Sequence, residues 1–405
     1  MSSLPPSRAS LAALVAQRER SLFAHDVLAH ADALREALHG RRVLVIGGAG
    51  SIGSATVHEI ARVGPAALHV VDVDENGLAE VARDLHSSGT LDEDTAFRTT
   101  PLDFGGRTMR RLLDGDERYD LVLNFAAIKH VRSEKDVLSL LRMLEINVVA
   151  ARRLLERLAE LGVPRYFAVS TDKAANPVNL MGASKRAMEL VMLDDRLPQE
   201  VTSARFANVA FSNGSLLDGW LRRLDKRQPW AVPVDTRRYF VTPEEAGQLC
   251  CLAASVTTDR RVVIPALDPD RHLRDLVEVA VEVMGALGLE PDFCDTEEQA
   301  RDHMQRVGGT KRWPLLLTPL DTAGEKAFEE FVGTHDTVHD GEFSELRTLT
   351  TTLRDARAVD DFLGRANDFL DGAAEATAEA IGAALQEFVP ELQHRRSDNS
   401  LDQRM

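Results

Sequence analysis

The 405-residue sequence predicts an α/β protein built on a doubly wound parallel sheet, and two observations support this class. The first is a series of short, almost continuously apolar runs that alternate with helical patterns. Such runs are typical of strands buried on both faces and joined by helical crossovers. The second is a glycine-rich turn that follows the first run and precedes a helical pattern. The four clearest runs are residues 43–46, 68–71, 121–124 and 166–169.

The composition is that of a globular chain, with 44% hydrophobic and 28% charged residues. Lys and Arg number 48 against 64 Asp and Glu, a net charge of −16, which argues against nucleic acid or an anionic membrane as a partner. The three cysteines and the scattered histidines have no metal-ligand or disulfide spacing, so we expect no metal. No signal peptide or membrane-spanning stretch is recognisable, and we expect a cytoplasmic protein.

The first forty residues predict helices. Phe23, Val27, Ala31, Leu34 and Leu38 recur at helical spacing and would form one apolar face. We expect this segment to brace the main domain or a second subunit and to carry no chemistry.

The glycine-rich turn has Gly47, Gly50 and Gly53 spaced three and three. Glycines at such positions let the backbone turn tightly and approach a pyrophosphate, whose charge the helix N-terminal amides receive. Because the turn lies between a predicted strand and a predicted helix, it predicts dinucleotide binding.

Asp72 ends the second predicted strand about twenty residues after the glycines. A carboxylate there can accept hydrogen bonds from the adenosine ribose and would repel a 2′-phosphate, which favours NAD over NADP. The alternative is a solvated turn acid beside Asp74 and Glu75.

Residues 170–185 follow the predicted strand at residues 166–169, at the sheet edge where ligands bind in open α/β sheets. Thr171, Asp172 and Lys173 place a hydroxyl, a carboxylate and an ammonium side by side, which suits proton transfers that accompany a hydride transfer. Met181 and Lys185 are four residues apart and would share a helix face. The alternative is an ordinary surface Asp-Lys pair.

Three segments, residues 126–131, 170–185 and 205–209, together resemble the nucleotide-sugar 4,6-dehydratases of polysaccharide biosynthesis. The resemblance is strongest to those acting on UDP-N-acetylglucosamine, which belong to the extended short-chain dehydrogenase/reductase superfamily, and it covers about residues 41–250. It implies a Rossmann domain, a catalytically used NAD and a 4-keto-6-deoxy sugar product. The alternatives are a nucleotide-sugar 4-epimerase or ketoreductase and a non-catalytic NAD- or nucleotide-sugar-binding protein.

The resemblance implies a role for each residue of the loop. Thr171 would contact the C4 oxygen of the sugar, Asp172 would act as general acid for the departing C6 hydroxyl, and Lys173 would remove the C5 proton. Lys185 would hold the nicotinamide ribose. Met181 stands where most of the superfamily has a catalytic Tyr, and one branch of the dehydratases shares this Met.

Further site residues follow from the same resemblance. The implied cofactor-binding residues are Gly47, Gly50, Ser51, Ile52, Gly53, Asp72, Asp103, Asn124, Ala126, Ala127 and Lys185. The implied substrate-binding residues are Lys129, His130, Asn208, Ser212, Gly214, Ser215 and Arg238. Arg238 aligns with the arginine that grips the substrate diphosphate, and a planar guanidinium suits that contact. Residues 322–326 resemble an Arg-Pro-Gly-Glu-Lys motif of the family in which the Arg and Pro are replaced.

These observations predict four regions and a homo-oligomer that binds a nucleotide-sugar substrate. The regions are a helical extension at 1–40, an NAD-binding Rossmann domain at 41–210 with a return segment at about 241–265, a mainly substrate-binding region at 211–350, and a helical extension with a tail at 351–405. Residues 203–209 and 261–264 are further predicted strands, and residues 362–388 a last helical stretch.

Overall fold

The computed structural model describes residues 6–115, 117–129, 134, 136–307, 310–319 and 328–394. The helices are α1 (Arg8–Ala16), α2 (Ala24–Ala29), α3 (Ala31–Leu38), α4 (Ser51–Ala61), α5 (Glu75–Ser88), α6 (Arg107–Leu113), α7 (Val137–Leu144), α8 (Ala151–Glu160), α9 (Leu180–Met192), α10 (Leu216–Asp225), α11 (Pro243–Ser255), α12 (Pro269–His272), α13 (Leu276–Ala286), α14 (Glu297–Arg306), α15 (Ala356–Asp371) and α16 (Ala378–Phe388). A π-helical turn, Glu145–Ala150, joins α7 to α8.

The strands are β1 (Arg42–Ile46), β2 (Ala67–Asp72), β3 (Ala96–Pro101), β4 (Leu121–Asn124), β5 (Arg165–Val169), β6 (Glu200–Ala204), β7 (Asn208–Val209), β8 (Trp230–Pro233), β9 (Arg237–Val241), β10 (Arg261–Pro265), β11 (Leu273–Asp275), β12 (Glu290–Cys294), β13 (Arg312–Thr318), β14 (Asp336–His339) and β15 (Leu346–Thr351). Residues 203–209, predicted as one strand, divide between β6 and β7, which lie in different sheets.

The central sheet has nine strands in the order β14-β15-β10-β6-β5-β4-β1-β2-β3. The seven strands from β10 to β3 are parallel, whereas β15 pairs antiparallel with β10 and β14 antiparallel with β15. The predicted α/β doubly wound class is therefore confirmed. Within the predicted, mainly substrate-binding region at 211–350, β14 and nearly all of β15 belong to the central sheet.

The parallel strands form because both of their faces are buried. In β1, Val43 and Val45 pack in one apolar cluster, and Leu44 and Ile46 pack in the cluster on the opposite face. All four side chains are at most 1% exposed, which explains why the strand reads as a continuous apolar run rather than an alternating one.

Two smaller sheets lie beyond the central one, in the orders β11-β9-β7 and β12-β13-β8. Their core contains the stacked rings of Trp220 and Trp230, whose centroids are 5.1 Å apart. Leu11 and Val15 of α1 are buried in this same cluster. The first helix, α1, thus packs with the two smaller sheets.

The N-terminal segment packs on its own chain through apolar and charged contacts. Phe23, Leu34 and Leu38 lie in the core, but Ala31 is exposed, because the segment breaks into α2 and α3 rather than forming the predicted single face. Arg18 forms a two-pronged ion pair with buried Glu245, with Nε–Oε1 and Nη2–Oε2 distances of 2.6 and 2.7 Å. Such a pair fixes the segment to the start of α11.

The predicted helical stretch 362–388 is two helices, because α15 ends at Gly372, whose φ of 74° is left-handed. Both helices pack against α7, the π-helical turn and α9 in one apolar cluster. Among the described residues, none of the helices is long and apolar enough to span a bilayer.

Candidate active site

The predicted site residues gather at one edge of the central sheet. β1, β4 and β5 are parallel neighbours, so the segments that follow them leave the sheet side by side. These segments are the glycine-rich turn, the residues after Asn124 and the loop that begins at Ser170. In open α/β sheets this carboxyl edge is where ligands bind.

The glycine-rich turn has no room for side chains at two of its positions. Gly47 has φ of 75°, and a Cβ built on it would lie 2.7 Å from the backbone nitrogen of Ala126. A Cβ on Gly53 would lie 2.2 Å from the carbonyl oxygen of Gly47. The turn is therefore close-packed, and Ser51 and Ile52 begin α4, whose first-turn N–H groups are available to an anion at this edge.

Asp72 is held against this turn. Its Oδ2 accepts a hydrogen bond from the backbone N–H of Ala49 at 2.9 Å, and its Oδ1 accepts one from Asp74 at 3.0 Å. These bonds fix the carboxylate beside the glycines, which is not the arrangement of a freely solvated turn acid.

Asp103 lies near the end of β3, at the outer side of the same edge. Its carboxylate pairs with Arg142 at 2.7 Å and accepts a hydrogen bond from the N–H of Gly105 at 2.9 Å. Partial burial alone would raise its pKa, but these hydrogen bonds hold the pKa of Asp103 below its usual value. Asp103 is therefore an ion-paired carboxylate in this structure.

Asn124 shapes the turn that leads to Ala126 and Ala127. Its Oδ1 accepts a hydrogen bond from the N–H of Ala126 and its Nδ2 donates one to the Tyr166 hydroxyl, both at 3.0 Å. The side chain is buried, so it fixes the backbone that contacts Gly47.

The loop after β5 brings together the three predicted chemical groups. The Thr171 hydroxyl donates to Asp172 Oδ1 at 2.7 Å, and Lys173 Nζ lies 3.5 Å from the same oxygen. A short 3₁₀ turn, Asp172–Ala174, holds them, and the start of α9 packs directly on it, since a Cβ on Gly182 would lie 2.5 Å from the Lys173 carbonyl oxygen. Hydroxyl, acid and amine are thus one contiguous group on a supported loop.

Lys185 lies beneath this loop, fully surrounded by protein. Its Nζ donates to the carbonyl of Val169, the last residue of β5, at 2.7 Å and lies 3.1 Å from the Met188 sulfur. Burial lowers the pKa of Lys185 to about 8.

Met181 packs in the apolar cluster that contains α15 and α16, and its side chain is 3% exposed. Its thioether carries no transferable proton, so this contact is one of packing. Its backbone N–H donates to Glu134 Oε1 at 2.9 Å, and burial raises the pKa of that carboxyl.

The predicted substrate-binding loop 212–215 adjoins the glycine-rich turn. The N–H of Asn213 donates to Ser51 Oγ at 2.8 Å, and Lys129 Nζ donates to the Asn213 carbonyl at 2.9 Å. Ser215 caps α10 and Gly214 has φ of 75°, which gives the loop a defined turn after Ser212. His130 and the predicted motif at 322–326 lie outside the described residues.

A buried carboxylate, Glu329, joins two predicted substrate residues and was missed from the sequence. Asn208 Nδ2 donates to Glu329 Oε1, which also lies 3.5 Å from Nε of Arg238. Glu329 Oε2 accepts from the N–H of Tyr239 at 3.2 Å. Burial, and then the charge of Asp172, raise the pKa of Glu329 to about 7. Its only signal in the sequence is a Glu-Glu pair between two phenylalanines.

Asn147, in the π-helical turn, was also missed. Its Oδ1 accepts from the N–H of Ile128 at 2.9 Å, while its Nδ2 donates to the Ile128 carbonyl and to Ser184 Oγ, both at 3.0 Å. Since Lys129 follows Ile128, this clamp positions the lysine relative to α9.

The loop after β5 rests on a buried ion network formed by Arg186, Glu189, Arg205 and Asp336. Arg205 donates to Glu189 through Nε and Nη2, at 2.9 and 2.7 Å, and pairs with Asp336 at 2.6 Å. Arg186 pairs with Glu189 at 3.0 Å. Glu189 Oε1 also accepts from the hydroxyl of Ser170 at 2.6 Å, so the network reaches the residue next to Thr171.

Comparison with known proteins places this site in a family context. A UDP-N-acetylglucosamine 4,6-dehydratase (inverting) of Campylobacter jejuni is 27% identical, over 51% of this chain and 61% of that protein. A probable polysaccharide biosynthesis protein, EpsC, of Bacillus subtilis is 26% identical over 72% of this chain. A UDP-glucose 4-epimerase of Lactobacillus helveticus is 29% identical over 43% of this chain and 54% of that protein. The chain spans about half the length of EpsC, 47%.

A solved structure has the same fold. DesIV from Streptomyces venezuelae, a dTDP-glucose 4,6-dehydratase with NAD and TYD bound, superposes with a TM-score of 0.54 at 19% identity, over 72% of this chain and 88% of that one. Residues 43–350 match the family described as polysaccharide biosynthesis protein. This range covers most of the chain and includes the whole site edge, so the resemblance seen in the sequence is confirmed and the chain belongs to the polysaccharide biosynthesis protein family.

Proposed function

We propose that the chain is an NAD-dependent nucleotide-sugar 4,6-dehydratase that converts a UDP-N-acetylhexosamine or related nucleotide hexose to its 4-keto-6-deoxy sugar for polysaccharide biosynthesis. The observation that carries this proposal is the contiguous group of Thr171, Asp172 and Lys173 at the carboxyl end of β5. The similarity to a relative named as a UDP-N-acetylglucosamine 4,6-dehydratase supports it.

The residues present fit a dinucleotide. Glycine at positions 47 and 53 lets the backbone pack tightly in the turn, since a Cβ at either position would collide with neighbouring backbone, and the first turn of α4 can receive a pyrophosphate. Asp72, fixed beside the turn, would accept hydrogen bonds from the adenosine ribose. When bound, NAD would accept the hydride from C4 of the sugar and return it to C6, so that the cofactor is regenerated.

The chain's own groups account for the loss of water. The Thr171 hydroxyl would hold the C4 oxygen, and Lys173, in its neutral form, would remove the C5 proton that a C4 ketone acidifies. Asp172, in its protonated form, would give a proton to the departing C6 hydroxyl, so that one water leaves across C5 and C6. Lys173 would then return a proton to C5, which completes the 4-keto-6-deoxy sugar. The acid must carry a proton while the base is free of one, so the two neighbouring groups act in opposite protonation states.

A nucleotide-sugar 4-epimerase is the second candidate, since a UDP-glucose 4-epimerase is among the similar proteins. Epimerisation or simple ketoreduction at C4 needs no acid for a C6 hydroxyl. The Asp172–Lys173 pair therefore favours the dehydratase. A non-catalytic binding protein draws support only from Met181 in place of the usual Tyr.

The deciding experiment is incubation of the purified protein and NAD with UDP-N-acetylglucosamine, UDP-glucose and dTDP-glucose in deuterated water, followed by mass spectrometry and proton NMR of the products. We expect one nucleotide sugar to lose one water and to carry deuterium at C5. Formation of a C4 epimer without solvent label would instead assign the epimerase.

We predict that the protein binds NAD more tightly than NADP, because a 2′-phosphate beside the Asp72 carboxylate would cost on the order of 1 to 4 kcal/mol. Asp72→Asn should narrow the ratio of the two dissociation constants by at least about fivefold. Glu75→Gln, which removes an exposed carboxylate from the start of α5, is the matched control and should leave the ratio unchanged. Calorimetric titration measures both constants, and tighter binding of NADP to the unmodified protein would contradict the prediction.

A further inference from the structure

Residues 328–334, which we call the strap, connect the loop after β5 to the predicted substrate residues of β7 and β9. Asn176 Nδ2 donates to Glu330 Oε2 at 3.1 Å, and Asn176 Oδ1 accepts from the N–H of Thr334 at 3.1 Å. Arg205 of the buried ion network donates to the Phe331 carbonyl at 2.7 Å. The strap is therefore fixed to the loop after β5 and to the network beneath it.

Glu329 is the residue of the strap that faces β7 and β9. Its side chain is 4% exposed, and that of Arg238, to which it is paired, is 15% exposed. Burying a guanidinium is costly unless an opposite charge lies nearby, and Glu329 provides that charge. The hydrogen bonds from Asn208 and the Tyr239 N–H fix the carboxylate in this position.

The charged groups around Glu329 come from each element packed against it. Arg238 of β9 favours the ionised form of Glu329, while Asp172 of the loop after β5 opposes it. Burial, and then the charges of Glu329, Asp268 and Asp270, raise the pKa of the neighbouring Tyr239 phenol. Arg238 is the one cation in this set of described groups. The protonation of Glu329 therefore depends on whether that guanidinium is paired with Glu329 or with another anion.

We propose that Glu329 is a positioning residue that couples the binding of a diphosphate at Arg238 to the uptake of one proton from solvent onto its carboxylate. The inference rests on the proposed function, in which Arg238 grips the substrate diphosphate. A bound diphosphate competes for the guanidinium and adds negative charge nearby, and both effects favour the neutral carboxyl. No bond other than this O–H forms or breaks.

The direction of the pH dependence follows from the thermodynamic linkage between proton binding and diphosphate binding. The pKa of Glu329 is about 7 without the diphosphate and rises when the diphosphate binds, so protons are taken up on binding above about pH 7. Affinity therefore falls as pH rises, by at most about tenfold per pH unit for one proton. A merely structural carboxylate would not give this pH dependence.

The test is calorimetric titration of UDP, and separately of dTDP, into the full-length protein with NAD between pH 7.5 and 9. In this range the terminal phosphate of the probe, with a pKa near 6, is already fully ionised. Two buffers of different ionisation enthalpy give the number of protons taken up. We expect a substantial fraction of one proton per nucleotide and a dissociation constant that rises about three- to tenfold per pH unit.

Glu329→Gln should abolish both the proton uptake and the pH dependence, whereas Glu342→Gln should leave both unchanged. Glu342 is the matched control, since burial also raises its pKa but it lies between β14 and β15. If the Gln variant does not fold, Glu329→Asp should keep the uptake and move its midpoint, because the shorter carboxyl is differently solvated.

Uptake that persists in Glu329→Gln, or an unmoved midpoint in Glu329→Asp, would overturn the coupling while leaving the dehydratase proposal standing. Failure of the unmodified protein to bind either nucleotide at any pH would overturn the proposed function and the coupling with it.

Discussion

Lys173→Ala and Asp172→Asn are each expected to lower the turnover of the nucleotide sugar by about 10²- to 10⁴-fold, the usual worth of a positioned general base or acid. Under the proposed mechanism, the Lys173 variant would lack the group that removes the C5 proton, and the Asn amide could not give a proton to the C6 hydroxyl. NAD binding should be unchanged, because both side chains follow β5 whereas the glycine-rich turn follows β1. Steady-state turnover and the NAD dissociation constant are the two measurements.

Met181→Leu is the control for these variants. It keeps the apolar volume in a cluster where the Met side chain is 3% exposed, and such swaps cost less than about 1.5 kcal/mol of stability. Because neither side chain transfers a proton, turnover should stay within severalfold of the unmodified protein. Near-normal turnover in Lys173→Ala would exclude that lysine as the base, and loss of NAD binding in either variant would make its defect structural.

Most of the parallel strands could be predicted from local sequence, whereas β3, whose residues are mixed and partly exposed, shows no apolar run. Strands such as β1, buried on both faces, must be apolar throughout, and the glycine-rich turn must be glycine where the backbone meets Ala126. β14 and β15 could not be predicted in this way. Their side chains are mixed and partly exposed. The place of β15 depends on antiparallel pairing with β10, far earlier in the chain, and the place of β14 depends on pairing with β15.

Of the contacts in the candidate site, only those between residues close together in the sequence could be predicted. The order Thr171, Asp172, Lys173 is visible in the sequence, but Glu329 meets Asn208 across 121 positions and Arg205 meets Asp336 across 131. Charged side chains are almost never fully buried unless paired, so the sequence gives no reason to place them in the core before the partner is known. These long-range polar contacts are what the fold adds to the motif.

Glu189→Gln is expected to lower the free energy of unfolding by about 3 to 5 kcal/mol, because it leaves buried arginines without their central counter-charge. Glu189 and Arg205 have fully buried side chains, and the ion pair with Arg205 holds the pKa of Glu189 low although burial alone would raise it. Asp336 still balances part of the charge, which argues for the lower half of this range. Urea denaturation monitored by circular dichroism measures the change.

Glu156→Gln is the matched control, since Glu156 also pairs with an arginine at 2.7 Å but is 49% exposed. An exposed pair contributes at most about 1 kcal/mol, so the control should unfold almost as the unmodified protein does.

The pH dependence of the unfolding free energy separates a charge effect of Glu189→Gln from a packing effect. The Glu189 carboxylate has a lowered pKa when folded, so its stabilisation is present above the unfolded value and is lost as pH falls through the folded one. The difference in unfolding free energy between Glu189→Gln and the unmodified protein should therefore become smaller at acid pH. A difference that stays constant would mean that the variant disrupts packing rather than the charge balance beneath Ser170.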